Sequence, residues 1–309
     1  MGIDQSNTYD VDVELNPTNN SLGTGAQEDR IARVALSLLL MPGDERLITQ
    51  VHTLGAPQTI ESLCSGVGPK QACQRIDLAI HQAKAVLDKA VQQGFRFIIP
   101  TDAKWPEQLN DLDNEMPIGL WVRGDADFAS LFQHAIAIVG SRASTAYGER
   151  IAAELGTLTS DHGYAVISGA AFGIDAAAHR GALGAGGQTV AVLASGVDVA
   201  YPSAHQGLID RIATQGLVVS EVPPGTPPRK HYFLVRNRII AALSQQTVVV
   251  EAAVRSGALS TAHWAQDLGR TVWGVSGPIT SAASAGVHFE IQQGYMQLLA
   301  SLDDILKTN

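Results

Sequence analysis

The sequence predicts an α/β protein: an extended Rossmann-like, doubly wound, mostly parallel sheet preceded by a small all-helical domain. Three observations predict it. Short apolar runs at 135–139, 164–167, 189–193, 217–220, 247–251 and 271–275 recur with helical segments between them. Each run is almost continuously apolar, the pattern of a strand buried on both faces of a parallel sheet. Within 135–179, two strand–loop–helix units follow one another, and their loops are Gly140-Ser141-Arg142 and Ser168-Gly169-Ala170-Ala171-Phe172-Gly173.

Residues 1–29 carry six acidic residues and no Lys or Arg. Rich in Asn, Thr, Gly and Asp, they offer little to a core, and a disordered acidic tail is expected. The rest of the chain is then close to neutral despite an overall charge of −9. That excludes a bulk-basic nucleic-acid binder and leaves room for a local basic patch.

Residues 30–93 read as the small all-helical domain, SAM-like or helix-hairpin-helix-like. An apolar helical segment at 31–40 stops at Met41-Pro42-Gly43, a second at 46–54 stops at Gly55-Ala56-Pro57, and a long helix is expected over 71–93. Between them Gly66-Val67-Gly68-Pro69-Lys70 has the G-h-G spacing of a hairpin turn that offers backbone N–H groups to a DNA phosphate. A compact helix–helix turn accounts for it equally well. Residues 94–309 form the sheet domain. Its first runs, 95–100 and 118–122, lack a glycine fingerprint and are expected to extend the sheet, with Trp105 and Leu109 as packing anchors.

In an open parallel sheet, ligands sit outside the carboxyl ends of the strands, so the residues after each strand define the site. A strand that passes through Gly140-Ser141 into a helix presents N–H groups and a positive helix end to an anion, a phosphate site in outline. Neither glycine loop is G-x-G-x-x-G with an acid about 20 residues on, and no G-x-x-x-x-G-K-[ST] occurs. NAD and ATP are therefore not expected, and no cofactor is assigned. Later loops add Ser195-Gly196-Val197-Asp198 with Tyr201-Pro202, then Glu221, Glu251 with Arg255-Ser256-Gly257, and Ser276-Gly277-Pro278.

The segment 227–244, PPRKHYFLVRNRIIAALS, is the most informative. No acidic residue occurs from 222 to 250, while Arg229, Lys230, Arg236 and Arg238 surround Tyr232 and Phe233. Cations interleaved with rings suit single-stranded nucleic acid, because the cations track phosphates and the rings stack on bases. The bland alternative is a helix start with a snorkelling basic face and a core Phe. Arg142 and the glycine loops weigh toward nucleic acid.

Catalytic chemistry has thinner support. Asp175 and His179 share a helix face, and His205 lies near Asp198, yet no Ser or Cys elbow accompanies them. A helix-capping Asp175 and a packing His179 are expected, and Glu251 suits hydrogen bonding to loop amides. No H-x-x-x-H or Cys/His cluster supports a metal. Cys64 and Cys73 fit no redox or zinc spacing. No apolar run reaches the roughly 18 to 20 residues of a membrane span, and the acidic N-terminus is the opposite of a signal peptide. A cytoplasmic protein without a membrane partner is expected.

Across 138–268 the pieces VGSRASTAYG, VISGAAFGIDAAAH, GALGAGGQTVAVLASGVDVAYP, GLVVSEVPPGTPP, FLVRNRIIAALS and VVVEAAVRSGALSTAHWAQDLGR follow one another. In content and order they resemble the DNA-processing protein A (DprA/Smf) family, and WPEQLNDLDNEMPIGLWVRG looks like that family's lead-in. The resemblance covers roughly residues 95–295. It implies a non-enzymatic protein that binds single-stranded DNA and loads the RecA recombinase on it, supporting natural transformation and recombination. It also implies a homodimer, for which Ile291, Leu298, Leu299, Leu302 and Ile305 are the available apolar surface.

Carried over, Gly140, Ser141 and Arg142 match the family's phosphate-contacting loop, Lys230 and Phe233 match residues that contact backbone and base, and Arg236-Asn237-Arg238 match its R-N-R. With the neighbouring loops added, the residues expected at DNA are Gly140, Ser141, Arg142, Ser168, Gly169, Lys230, Phe233, Arg236, Asn237, Arg238, Ser256 and Gly257. The chain departs from the family at Phe172, where Arg is usual, at His205 and in Gly286-Val287-His288, where Asn is usual, and at Leu234-Val235 before R-N-R. Ending at Asn309, it leaves no room for the winged-helix domain that many members append. A reading of another class is a nucleotide-sensing or nucleotide-processing enzyme of the lysine-decarboxylase-like Rossmann group. That group carries P-G-G-x-G-T-x-x-E, which neither Ser276-Gly277-Pro278 nor Ser256-Gly257-Ala258 supplies.

Overall fold

The computed structural model describes residues 24–65 and 70–307. Four helices come first: α1 (Thr24–Leu39), α2 (Glu45–Leu54), α3 (Ala56–Ser65) and α4 (Lys70–Gln92). Helix α1 starts inside the segment expected to be a tail. Asp29 holds Arg33 Nε at 2.7 Å and accepts from the Ala56 amide at 3.4 Å, which ties down a turn whose composition alone looks uncommitted. Residues 1–23 and the glycine turn at 66–69 lie outside the described residues.

Strands β1 (Phe95–Ile98) and β2 (Leu120–Arg123) follow, then α5 (Phe128–Gln133), β3 (Ala135–Val139), α6 (Ala146–Asp161), β4 (Ala165–Ser168), α7 (Ile174–Gly184) and β5 (Thr189–Val192). The chain continues through α8 (Gln206–Gln215), β6 (Leu217–Ser220), α9 (Lys230–Ala242), β7 (Gln246–Val249), α10 (Ala258–Asp267), β8 (Thr271–Val275), α11 (Ala285–Gln292) and β9 (Gln297–Leu299). The nine strands form one sheet in the order β1-β2-β6-β5-β4-β3-β7-β8-β9. Pairing is parallel from β6 to β9, and β1 and β2 extend the sheet antiparallel beyond β6. The fold is thus the extended Rossmann-like sheet that the strand pattern predicts.

Burial on both faces explains that pattern. In β3, Ala135, Ala137 and Val139 face one core while Ile136 and Ile138 face another. In β6, Leu217 and Val219 likewise turn away from Val218. Residues on both sides of such a strand meet a helix layer, so its positions are mostly apolar and its few polar side chains, such as Ser168 and Ser220, are buried and hydrogen-bonded.

The helices α1–α4 do not enclose a core of their own. Their buried residues, among them Val34, Leu36, Ile48 and Ala83, join Phe95, Phe97, Ile99 and Trp121 in one cluster. Phe97 and Trp121 pack with ring centres 4.7 Å apart. Arg30 pairs with Asp102 at 2.7 Å, and Arg33 donates to the Ile118 carbonyl at 2.8 Å. The boundary expected near residue 94 separates helix from strand, and the packing runs across it. No helix among the described residues is long and apolar enough to cross a membrane.

Topology fixes where a site forms. From β3 the chain marches one way to β6; α9 then carries it back to β7 on the other side of β3, and it marches the opposite way to β9. The two crossovers diverge between β3 and β7, which opens a crevice at their carboxyl ends.

Candidate nucleic-acid interface

The loop after β3 is built by a residue at the end of β7. The backbone oxygen of Glu251 accepts from the Ser141 amide at 2.7 Å, and its buried carboxylate accepts from the Thr145 amide at 2.9 Å and the Thr145 hydroxyl at 2.5 Å. Thr145 in turn caps α6 by accepting from the Gly148 amide at 3.1 Å. Glu251 thus plays the amide-binding role its position suggests. At the positive end of α6 a carboxylate of the same chain takes the Thr145 amide and hydroxyl.

The loop after β4 follows the same plan. Buried Asp175 accepts from the Gly169 amide at 3.1 Å and the Ala171 amide at 3.4 Å. Burial raises its carboxyl pKa, against the pull of Arg236 and of the two amides. Arg236 lies beneath this loop, 6% exposed, and donates to the Val192 carbonyl at 2.7 Å. Its guanidinium is lowered to about 10 by burial, with Asp175 opposing and Arg142 adding to the shift. Gly169 is glycine for a steric reason, since an added Cβ would fall 1.7 Å from Arg236 Nη1.

Above this buried layer lies the exposed one. Arg142 is exposed, and its guanidinium carbon stands 4.5 Å from the centre of the Phe233 ring. Phe233 belongs to the first turns of α9, is half-buried, and packs on Ala194, Val222 and Tyr232. The ring of Tyr201, on the loop after β5, has its centre 5.3 Å from that of Phe233, tilted by 56°. Exposed Lys230 opens α9, whose N-cap, Arg229, makes no side-chain capping bond. One cation therefore stands over the ring and a second lies three residues before it, at a helix start with no acid in its first turn. In the glycine loops the Ser141, Gly169 and Ala171 amides already have acceptors within the protein, whereas the side chains of Arg142 and Lys230 are exposed.

Among the expected residues, Gly140, Ser141, Arg142, Gly169, Lys230 and Phe233 come together here. Ser168 is fully buried and donates to the Ile138 carbonyl at 2.6 Å, holding β4 to β3. The R-N-R triplet points inward. Asn237 donates to the Gly257 carbonyl at 3.1 Å, which fastens α9 to the loop after β7 and accounts for Ser256 and Gly257 as neighbours of the helix. Arg238 is 1% exposed and gives Nη2 to both oxygens of Glu221 at 2.9 Å, Nε to the Glu115 carbonyl and Nη1 to the Val235 carbonyl. A cation so fully engaged is part of the core. Its sequence neighbours gave no sign of this, because Glu115 and Glu221 come from distant segments.

Sequence reasoning read Phe172 only as a departure from the family's usual Arg and gave Tyr201 no role. The signal was present: an aromatic residue inside a glycine-spaced loop has no helix or strand face to hide in. His179 packs as expected, buried, with Nδ1 2.7 Å from Thr189 Oγ1. Of the apolar residues near the chain end, Leu299 and Ile305 are buried within the protein, Ile291 packs against its core, and Leu298 is exposed on the edge strand β9.

Residues 96–309 match the family model for DNA recombination-mediator protein A. The chain belongs to this family. A putative DNA processing protein DprA of Mycobacterium tuberculosis is 42% identical over 273 residues, covering 80% of this chain and 70% of that one. DprA of Streptococcus pneumoniae is 39% identical over 222 residues, covering 72% and 77%. The X-ray structure of the Streptococcus pneumoniae protein matches with a TM-score of 0.75 at 32% identity, over 91% of this chain and 97% of that one. The Helicobacter pylori member, described by its single-stranded DNA binding mode, matches with a TM-score of 0.62 at 26% identity, over 69% and 94%. The family assignment agrees with the motif resemblance, and the fold agrees with both.

Proposed function

We propose that the chain binds single-stranded DNA at the carboxyl edge of its sheet, along the line from Arg142 over Phe233 to the start of α9. The observation that carries this reading is the Arg142–Phe233 stack beside Lys230. A guanidinium on a ring, with a second cation at a helix start, offers phosphate and base contacts within one nucleotide's reach. The Helicobacter pylori relative binds single-stranded DNA, and this chain shares its fold and family.

The bound strand then serves as the platform on which RecA recombinase is loaded, in the cytoplasm, in support of recombination and natural transformation. Two copies pair through the β9 edge, where Leu298 is exposed at the end of the sheet. The protein acts by binding rather than catalysis: the Asp175 carboxylate is engaged by loop amides and the His179 ring is buried against Thr189, so neither faces a substrate.

Gel-shift and anisotropy titrations with single- and double-stranded oligonucleotides test the reading. Preference for the single strand is expected. With about three to five phosphate contacts, the log–log salt slope should be roughly −2 to −3.5. Equal affinity for both strand types, or turnover of a nucleotide by the purified protein, would overturn it. Recruitment of RecA to protein-coated strands, and a concentration-dependent mass by light scattering, test the two partners.

A further inference from the structure

Two rings at the sheet edge are unusually open, Phe172 at 48% and Tyr201 at 44% exposed. The backbone around Phe172 is fixed on both sides. Ala171 donates to Asp175, and Gly173 packs so closely on the loop after β3 that an added Cβ would fall 2.4 Å from the Ser141 carbonyl oxygen and 2.9 Å from that of Arg142. The Phe172 ring stands edge-on to His205, with centres 4.8 Å apart at 69°. His205 is in turn held by Nδ1, 2.9 Å from the Ala170 carbonyl oxygen. Four residues earlier on the same loop, Tyr201 packs against Phe233. Segment 201–205 therefore links, along the chain, the Phe233–Tyr201 pair under Arg142 to the Phe172–His205 pair.

We infer that Phe172 is a second base-stacking residue: a single strand held at Arg142 and Phe233 continues over Tyr201 and lays a nucleobase on the open face of Phe172. This rests on the single-strand reading above and extends its site. An uncharged ring neutralises no phosphate, so this end of the site takes hold of the strand through its bases. Stacking accepts any base, because every base has a π-face. The exposed surface of the ring, 48% of the residue, is what is available to it.

The test compares the full-length wild-type chain with Phe172→Ala, Phe172→Trp and Phe172→Arg. Each is titrated across salt with a short oligothymidylate and with an abasic strand of equal length, and melting temperatures are recorded alongside. Phe172→Ala should bind the base-bearing strand roughly 5- to 100-fold more weakly, with little change on the abasic strand and an unchanged salt slope. Phe172→Trp should retain binding. Phe172→Arg should steepen the slope by about 0.7, the value for one added phosphate contact to a single strand. Unchanged affinity of Phe172→Ala, equal loss on both strands, or a loss that Phe172→Trp fails to restore would overturn the inference while the parent reading stands. A wild-type protein that binds neither strand would remove the parent reading and this one with it.

Discussion

The guanidinium of Arg142 lies over the ring of Phe233, 4.5 Å from its centre. A residue following β3 and a residue in the first turns of α9 thereby form one unit, although the sequence sets them far apart. Because each side chain orients the other, Arg142→Ala and Phe233→Ala should both weaken single-strand binding, and the double variant should lose less than the sum. Phe233→Ala should cost about 1–3 kcal/mol of binding. Its folding cost should fall below the roughly 3–5 kcal/mol of a fully buried Phe, since it is half-buried and belongs to a small satellite cluster. Fully additive losses in a double-mutant cycle would show that the two act separately.

Arg238→Ala should act on folding. Removing the guanidinium leaves Glu221, 9% exposed, without its ion-pair partner, a change that costs about 3–5 kcal/mol. Chemical denaturation measures this directly, and replacing Glu221 as well should recover part of the loss. If Arg238→Ala instead kept full stability and lost DNA affinity, the inward placement of the R-N-R triplet would be wrong.

Gly169→Ala should destabilise by about 1–3 kcal/mol, the usual cost of overpacking, because the new methyl would displace the buried guanidinium of Arg236. In an Arg236→Ala background the same methyl no longer meets the guanidinium, and its cost should shrink. Denaturant midpoints of the four proteins decide this. Equal costs in both backgrounds would point to backbone strain instead.

His179 gives the fold an acid limit. Burial first, then the charges of His205, Arg236 and Arg180, lower its pKa from 6.5 to about 3. The unfolded chain therefore takes up a proton near pH 6.5 that the folded protein refuses until about pH 3. Stability is fully present above 6.5 and falls as the pH drops through that window, by at most about 1.4 kcal/mol per pH unit. Asp175, whose carboxyl is raised, works in the opposite direction. It is common to the wild type and His179→Gln, so the difference between their stability curves isolates the imidazole. Between about pH 7 and 5 the wild type should lose stability more steeply than the variant; parallel curves would contradict the assignment.

The strands were legible because burial on both faces leaves a continuous apolar mark: 135–139, 217–220 and 271–275 are apolar runs in the sequence and strands in the structure. The edge strand β9 was not, since Gln297 and Leu298 lie exposed and carry no such mark. Family membership was legible for a related reason. The quoted motifs contain glycines at close approaches, such as Gly169 over Arg236, and the carboxylates Asp175 and Glu251 that serve loop amides, positions where the backbone demands a particular residue type.

The sequence by itself determined the residue types available at the carboxyl edge: Arg142, Lys230, Phe233, glycine loops and an acid-free stretch. Tertiary structure decided which of them meet solvent. Arg236 and Arg238 sit two positions apart on α9 in a chemically uniform basic run, yet both turn inward, because β5 supplies the Val192 carbonyl to one and the end of β6 supplies Glu221 to the other. Helix α6 begins with the residues of an anion site, yet the crossover back to β7 brings Glu251 there first. Local sequence specifies charge and shape; a partner from a distant strand decides whether that charge is neutralised inside the protein or left for a ligand.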